Sequence, residues 1–459
     1  MPIPPQPSTP DLSPDLSSSA FIVLFNSLVP PSVLDEILLS EAPRNSGKPK
    51  ITYQQLSVGL VRQALYAKGT LSMHIEELYG IRVSDAALSG RKDSIGWEYA
   101  AMLLEQVLKP IAIPGLHPDA FYKGFRLVAA DLTKFDLQNT PAILDQVTKA
   151  NSPKGDGSKV AFGQMNCEVL VELGMFNPLS VALSWDGRGE LTLARDILDA
   201  LPETSLLLGD RLYGSPWFLY QAQQKFAAMS SHYLVRVKED LKINYLETLP
   251  DGSRLGKVEV VDPETKRKVG VIKVREIRAR VHIEGDAAAS DIRLWTSLLD
   301  HECYPALELA ALYARRWSQE LFYREVKHDL HGQDSLLKAQ SIHGAALEVL
   351  SLMLAAALTA MQRAAVAGQA NVSPRKVSFS VVLEETRMLL SLFDLTTGFL
   401  TKAQQAEVVD RYWKKLGWKA LIKPRKSRRC QRGKRKTISS WRKISEPTSE
   451  PLVVSYEIL

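Results

Sequence analysis

The spacing of apolar and polar residues changes character along the chain. From about residue 20 to 110, apolar positions recur at helical spacing with short breaks. Within that stretch, Thr70 is placed to cap a helix carrying Leu71, Ile75 and Leu78, and Gly80 to end it. Ser84 can cap a second helix with Ala87 and Leu88, followed by Arg91 and Lys92. This is the pattern of a helix-turn-helix DNA-binding unit, and equally of any small helical hairpin.

The middle of the chain alternates strand-like and helix-like runs. Gly124–Ala130 reads as an apolar strand ending at Asp131, and further strands are expected within Val160–Leu173 and at Leu179–Ser184. A helix over Glu190–Ala200 precedes a strand at Ser205–Gly209 that ends at Asp210. Another helix, about Pro216–Ala228, leads to a strand at Tyr233–Val237. The expected order is three strands, helix, strand, helix, strand.

From 240 to about 290 the pattern becomes antiparallel β. Lys257–Val261 and Val269–Ile283 are joined by a turn at Asp262-Pro263, with Ile277, Ala279, Val281 and Ile283 alternating with Arg278, Arg280 and His282. Ile292–Leu298 is one more strand. Long helices are expected from about 305 to 332 and 340 to 366, with more helix near 380–416. The most apolar stretch, between Glu348 and Gln362, offers 13 uninterrupted residues. A membrane-spanning helix needs about 20, so a buried core helix is expected and no membrane partner.

Charge changes this picture in one place. The net charge is +6, but Lys423 to Lys443 holds 11 of the 57 Lys and Arg residues and no acid. The other 46 basic residues face 51 acidic ones, so the chain is a mildly acidic protein with a basic tail. Such a run attracts polyanions, nucleic acid first among them, and is otherwise a solvated tail. Residues 1–18, rich in Pro and Ser, are expected to be disordered. Cys167, Cys303 and Cys430 have no paired spacing, which excludes a disulfide framework and a zinc site and fits a reducing compartment.

The candidate chemistry lies in acids at the ends of strands. Asp131 and Asp210 each end an apolar strand of an α/β pattern, where ligand crevices form. Turn formation or helix capping is the plainer role for each. On the helix from 305, Tyr313, Arg316, Glu320 and Lys327 fall on one stripe at roughly 100° per residue. Alone, that stripe reads first as an exposed face stabilised by Arg/Glu pairs, each contributing about 0.2–0.5 kcal/mol. Three carboxylates converging on one site would repel one another unless a cation neutralised them. Mg²⁺, with its preference for oxygen ligands, suits that task.

Tyr313, Arg316, Glu320 and Lys327 match the signature Tyr-x2-Arg-x3-Glu-x6-Lys at every position. In this the chain resembles the bacterial insertion-sequence-four family of DDE transposases. Asp131-Leu-Thr133 resembles the family's first catalytic block, and Asp210-Arg-Leu-Tyr213-Gly-Ser its second. Tyr233–Lys238 and Leu294–Asp300 resemble the strands around them, and the β stretch from 240 to 290 resembles the family's inserted β domain. The resemblance covers about 125–365. Leu132 and Leu212 depart from the small residue or glycine more usual there.

The resemblance implies an α/β fold with an RNase H-like catalytic core, a mixed sheet with flanking helices interrupted by a β-rich insertion. The expected parts are a disordered 1–18, an N-terminal helical DNA-binding domain at 20–115, and the first part of the core at 120–240. The insertion follows at 241–290, then the rest of the core with the glutamate helix at 291–370. A helical region at 371–422 and a basic tail at 423–459 complete the chain.

It implies Asp131, Asp210 and Glu320 as catalytic metal ligands for Mg²⁺, with Mn²⁺ as a substitute. Tyr313, Arg316 and Lys327 become DNA contacts, and Arg236 a phosphate contact. Trp317 could stack on an unpaired base or serve as a core aromatic. Arg425, Lys426, Arg428 and Arg429 of the tail are candidate phosphate contacts. The implied partner is double-stranded DNA, both element ends and target. The implied state is a homodimer on DNA in the bacterial cytoplasm, associated with the nucleoid. The implied reaction is cut-and-paste transposition. A nuclease that cuts without joining, and a non-catalytic DNA-binding regulator derived from a transposase, are the two alternatives.

Overall fold

The structure, a computed structural model, describes residues 19–43, 49–148, 163–283, 290–332, 336–396, 398–423 and 454–458. Both the N-terminal eighteen residues and the tail positions Arg425, Lys426, Arg428 and Arg429 lie outside them. Six helices open the described chain: α1 (Ala20–Leu28), α2 (Pro31–Glu41), α3 (Tyr53–Tyr66), α4 (Leu71–Tyr79), α5 (Asp85–Ile95) and α6 (Glu98–Val107). Then come β1 (Phe121–Tyr122), β2 (Phe125–Asp136), α7 (Pro141–Leu144), β3 (Gln164–Glu172), β4 (Asn177–Ser184), α8 (Glu190–Ile197), β5 (Ser205–Gly209), α9 (Pro216–Ala228) and β6 (His232–Arg236). A β-rich stretch follows: β7 (Asn244–Thr248), β8 (Arg254–Val261), β9 (Lys268–Ile283) and β10 (Ser290–Thr296). The remainder is α10 (Ala306–Tyr313), α11 (Trp317–Arg324), α12 (Ile342–Gln369), α13 (Phe379–Thr396), α14 (Lys402–Lys419) and β11 (Val454–Ile458).

These elements form a mixed α/β fold of two compact units. The first draws on residues up to Leu206, on Met229–Ser231 and on Arg316–Leu421. The second draws on Leu207–Ala228, His232–Arg315 and the residues from Ile422 onward.

In the first unit the sequence marks its own helix ends. Thr70 accepts from Met73 N and Ser84 from Ala87 N, and Gly80 takes the left-handed conformation (φ 67°) that stops α4. Thr52 and Gln55 form a reciprocal capping box on α3. Each such cap is worth about 1 kcal/mol. Helix α12 runs through the centre of this unit, packed against α3, α6, α13, α14 and β4. It is the one described helix long and apolar enough to cross a membrane, and 89% of its most apolar window is buried within the protein. Its alanines, among them Ala345, Ala346, Ala355, Ala356 and Ala357, let neighbouring elements approach closely. Its leucines supply burial worth roughly 1.5–3 kcal/mol each.

The sheet of this unit has the order β4-β3-β2 and is antiparallel, with β1 paired to β2. The reading that stops the first strand at Asp131 is too short. Strand β2 continues to Asp136, so Asp131 lies in mid-strand, paired with Val169. Thr133 and Phe135 keep the inward alternation going past the acid, opposite Cys167 and Met165.

In the second unit the order is β5-β6-β10-β9-β8-β7. The sixteen-residue β9 is flanked on one side by β10 and on the other by β8 and then β11. The buried Glu276 carboxylate ties three of these strands together. It accepts from Tyr245 Oη (2.6 Å), Arg293 Nε (2.6 Å), Trp295 Nε1 (3.0 Å) and Arg278 Nε (3.0 Å). Burial alone would raise its pKa, but these donors outweigh burial and hold it below the usual carboxylate value. The basic face expected on β9 is therefore largely paired: Arg278 with Glu276 and Glu239, Arg280 with Asp291.

Candidate active site

The expected helix from 305 to 332 is not one helix. Tyr313 ends α10, residues Ala314–Arg316 form a tight 3₁₀ turn, and α11 begins at Trp317. Past Arg324 the chain loosens into a π-helical turn, Glu325–Leu330. The regular 100° step assumed for Tyr313, Arg316, Glu320 and Lys327 therefore does not hold along the whole segment, which is overwound before α11 and underwound after it.

What forms in the first unit is a smaller group around Arg316. Its Nη2 donates to Glu320 Oε1 at 2.6 Å, and its Nη1 lies 3.7 Å from Asp131 Oδ2. One guanidinium thus faces a strand acid and a helix acid that are far apart in sequence. Two residues hold α11 in that register. Gln319, fully buried, donates to the Val169 carbonyl, directly across the sheet from Asp131 (3.1 Å), and to Tyr323 Oη (3.1 Å). Tyr323 in turn donates to the Asp131 backbone carbonyl. Sequence reasoning missed both residues. The available signal was a glutamine and a tyrosine on the helix face that must point inward.

Lys327 points at β2 as well. Its Nζ donates to the Lys134 carbonyl at 2.6 Å and lies 5.2 Å from the centre of the Phe135 ring. Burial lowers its pKa, against the pull of Asp136. The π turn carrying it is anchored by Glu325, whose two carboxylate oxygens each accept from Arg363 Nη1 at 3.2 Å. Arg363 also donates to the Pro374 carbonyl (2.9 Å) and lies over the Phe176 ring. Burial pushes the Glu325 carboxyl up to about 7, even against the neighbouring Arg363 charge. Trp317 is 59% exposed, which removes the core-aromatic reading for it.

The second unit holds the other predicted residues. Asp210 follows β5 directly, half-buried, and its Oδ1 accepts from Leu212 N at 2.7 Å, closing a tight turn. Tyr313 Oη donates to the Gly209 carbonyl at 3.1 Å, one residue before the acid. Glycine is required in this turn. A Cβ on Gly214 would lie 2.3 Å from the Arg236 carbonyl, and one on Gly209 would lie 2.7 Å from Tyr213 Cβ. Arg236 is the last residue of β6, paired with Leu294 of β10. Asp210, Tyr313 and Arg236 are thus grouped about one turn.

Among the described residues, no three His, Cys, Asp or Glu side chains are grouped as ligands of a metal ion. The donor chemistry around Arg316 nevertheless suits one. Asp131 and Glu320 present hard carboxylate oxygens to a common cation, the kind of ligand that Mg²⁺ and Mn²⁺ take.

Residues 123–358, just over half of the chain, match the family model for the transposase DDE domain, and the chain belongs to that family. The chain is similar to the transposase InsG for insertion sequence element IS4 of Escherichia coli (strain K12), with 23% identity over 286 residues. The match spans 61% of this chain and 62% of that protein, under two thirds of its length. A cryo-EM structure of the piggyBac transposase synaptic complex with hairpin DNA is also similar, with a TM-score of 0.43 and 9% identity, covering 85% of this chain and 84% of that one.

Proposed function

We propose that the chain catalyses metal-dependent cut-and-paste DNA transposition on an RNase H-like core. One observation carries this reading. In a chain of the DDE transposase family, a strand acid and a helix acid face a single cation, Arg316. Asp131 and Glu320, with Asp210, are the residues that would hold Mg²⁺ or Mn²⁺. When bound, the ion supplies positive charge at the reacting phosphate.

The chain's own residues bind and orient the DNA. Arg316 and Lys327 pair with phosphates of the element end, Arg236 makes a further phosphate contact, and Tyr313 donates a hydrogen bond. Trp317, already exposed, stacks on an unpaired base. The basic run, including Arg425, Lys426, Arg428 and Arg429, adds attraction that is independent of sequence.

In the first step a water oxygen bonds to phosphorus at the element end and the bond to the 3′-oxygen breaks. The water loses a proton and the 3′-oxygen takes one. In the second step that 3′-hydroxyl attacks another phosphodiester, whose own 3′-oxygen leaves. One phosphodiester is exchanged for another, so joining needs no external energy source. Positioning and charge stabilisation are what the protein contributes. Joining two ends to one target requires two copies of the site, hence a dimer on DNA.

The test is cleavage and joining of a duplex carrying the element's own ends, in Mg²⁺, by wild type and Glu320→Gln. The expected result is cutting and joining by wild type, and a loss of at least a hundredfold in the variant with DNA binding kept. Equal activity in both would remove Glu320 from the mechanism. Cutting without joining would favour a nuclease, and DNA binding without cutting a regulator.

A further inference from the structure

The reading above gives Arg316 one task, holding a phosphate. Its position in the DNA-free protein gives it another. Its two terminal nitrogens are turned toward Asp131 and Glu320, the acids assigned to the metal. The three side chains are only partly exposed, 18% for Arg316, 21% for Asp131 and 36% for Glu320, so water does not fully screen them. Arg316 thus places one positive charge beside two carboxylates, one from β2 and one from α11.

We propose that Arg316 is the site's built-in counter-ion, and that DNA and the divalent metal bind cooperatively because both require it to leave the acids. The proposal rests on the metal-dependent reading above. A guanidinium stays charged at any working pH, so it can vacate the acids only by moving, not by losing its proton. A divalent ion on Asp131 and Glu320 repels it and takes away its acceptors. A DNA phosphate offers it a new bidentate partner of the same sign and geometry.

Each ligand therefore helps the other to bind, and linkage makes the help mutual. The functional result is an acid pair that binds metal weakly while the enzyme is free and strongly once an element end is in place. Hydrolytic chemistry is thereby confined to the DNA complex.

The experiment is a Mn²⁺ titration of the full-length protein, with free Mn²⁺ read by electron paramagnetic resonance at fixed ionic strength. Wild type, Arg316→Gln, Arg316→Lys and Glu320→Gln are compared without DNA. The titration is repeated for wild type and Arg316→Gln with an end duplex, after subtraction of Mn²⁺ bound by the duplex alone. Thermal melts confirm that each variant is folded.

Without DNA, Arg316→Gln binds Mn²⁺ roughly tenfold tighter than wild type, within the usual range of coupling between sites. Arg316→Lys keeps the charge and stays near wild type. The end duplex raises wild-type affinity by a factor similar to that of the Gln substitution, and raises that of Arg316→Gln little. Arg316→Gln binding no tighter than wild type, or DNA raising both alike, would overturn the proposal. Glu320→Gln separates the two levels of argument. If it binds Mn²⁺ as well as wild type, the metal site itself is wrong. If it loses Mn²⁺ while Arg316→Gln gains nothing, the coupling alone fails.

Discussion

Glu320 and Glu325 each pair with an arginine, and the two pairs have opposite characters. Arg316–Glu320 is short-range in sequence, partly exposed, and shared with a second acid, Asp131. Glu325–Arg363 joins two distant parts of the chain, is buried, and is closed by a carbonyl and an aromatic ring. The residue types are the same, so the difference lies in solvent and in neighbours. An exposed pair can exchange partners at little cost. A buried pair cannot, because either charge left alone would have no water to replace the other. The first pair is suited to chemistry and the second to holding the π turn that carries Lys327.

The largest expected effect comes from breaking the buried pair. Arg363→Met should cost about 3–5 kcal/mol of unfolding free energy near pH 8, measured by urea denaturation, because it strands the Glu325 carboxylate. The loss should shrink toward pH 6, where Glu325 can take a proton. A cost that is small at both pH values would mean that the pair does not anchor the turn.

The next effect is the pH dependence of Glu325 itself. Its folded pKa, about 7, lies above its unfolded value. Between roughly pH 4.5 and 7 the folded state therefore binds more protons than the unfolded chain. Its contribution is fully present below that window and is lost as pH rises through it, by up to about 1.4 kcal/mol per pH unit. Glu325→Gln should remove this slope, and unfolding curves for wild type and variant should differ least at the acidic end. Parallel pH profiles would show that Glu325 does not titrate in this range.

Much of the frame that carries these pairs is legible in the chain. The caps at Thr70 and Ser84, the stop at Gly80, and the order of strands and helices from β2 to β6 follow from local spacing and turn chemistry. Asp131 reads as the end of a strand because an acid commonly ends one, although Thr133 and Phe135 continue the alternation to Asp136. The segment near 305–332 reads as one continuous helix, because its departures from regular winding accompany contacts to other elements. Tyr323 is tied to the Asp131 carbonyl, Lys327 to that of Lys134, and Glu325 to Arg363. No spacing rule within residues 305–332 contains those partners. One clue was available in Arg363, a lone arginine on the buried face of α12, which must find a partner.

The exposed pair supplies the smallest effect on stability and the most discriminating one. Arg316→Gln removes a partly exposed ion pair, and pairs that reach water contribute about 0–1 kcal/mol. It also relieves no buried charge, so urea unfolding should move by no more than that. If Arg316 passes to a DNA phosphate, however, the variant forms one contact fewer in the complex. The slope of log affinity against log salt should then fall by about one for an end duplex. A stable protein with a flatter salt dependence is the signature of a pair kept for exchange rather than for holding the fold. A large loss of stability, or an unchanged slope, would place Arg316 with Arg363 as architecture and erase the distinction between the two pairs.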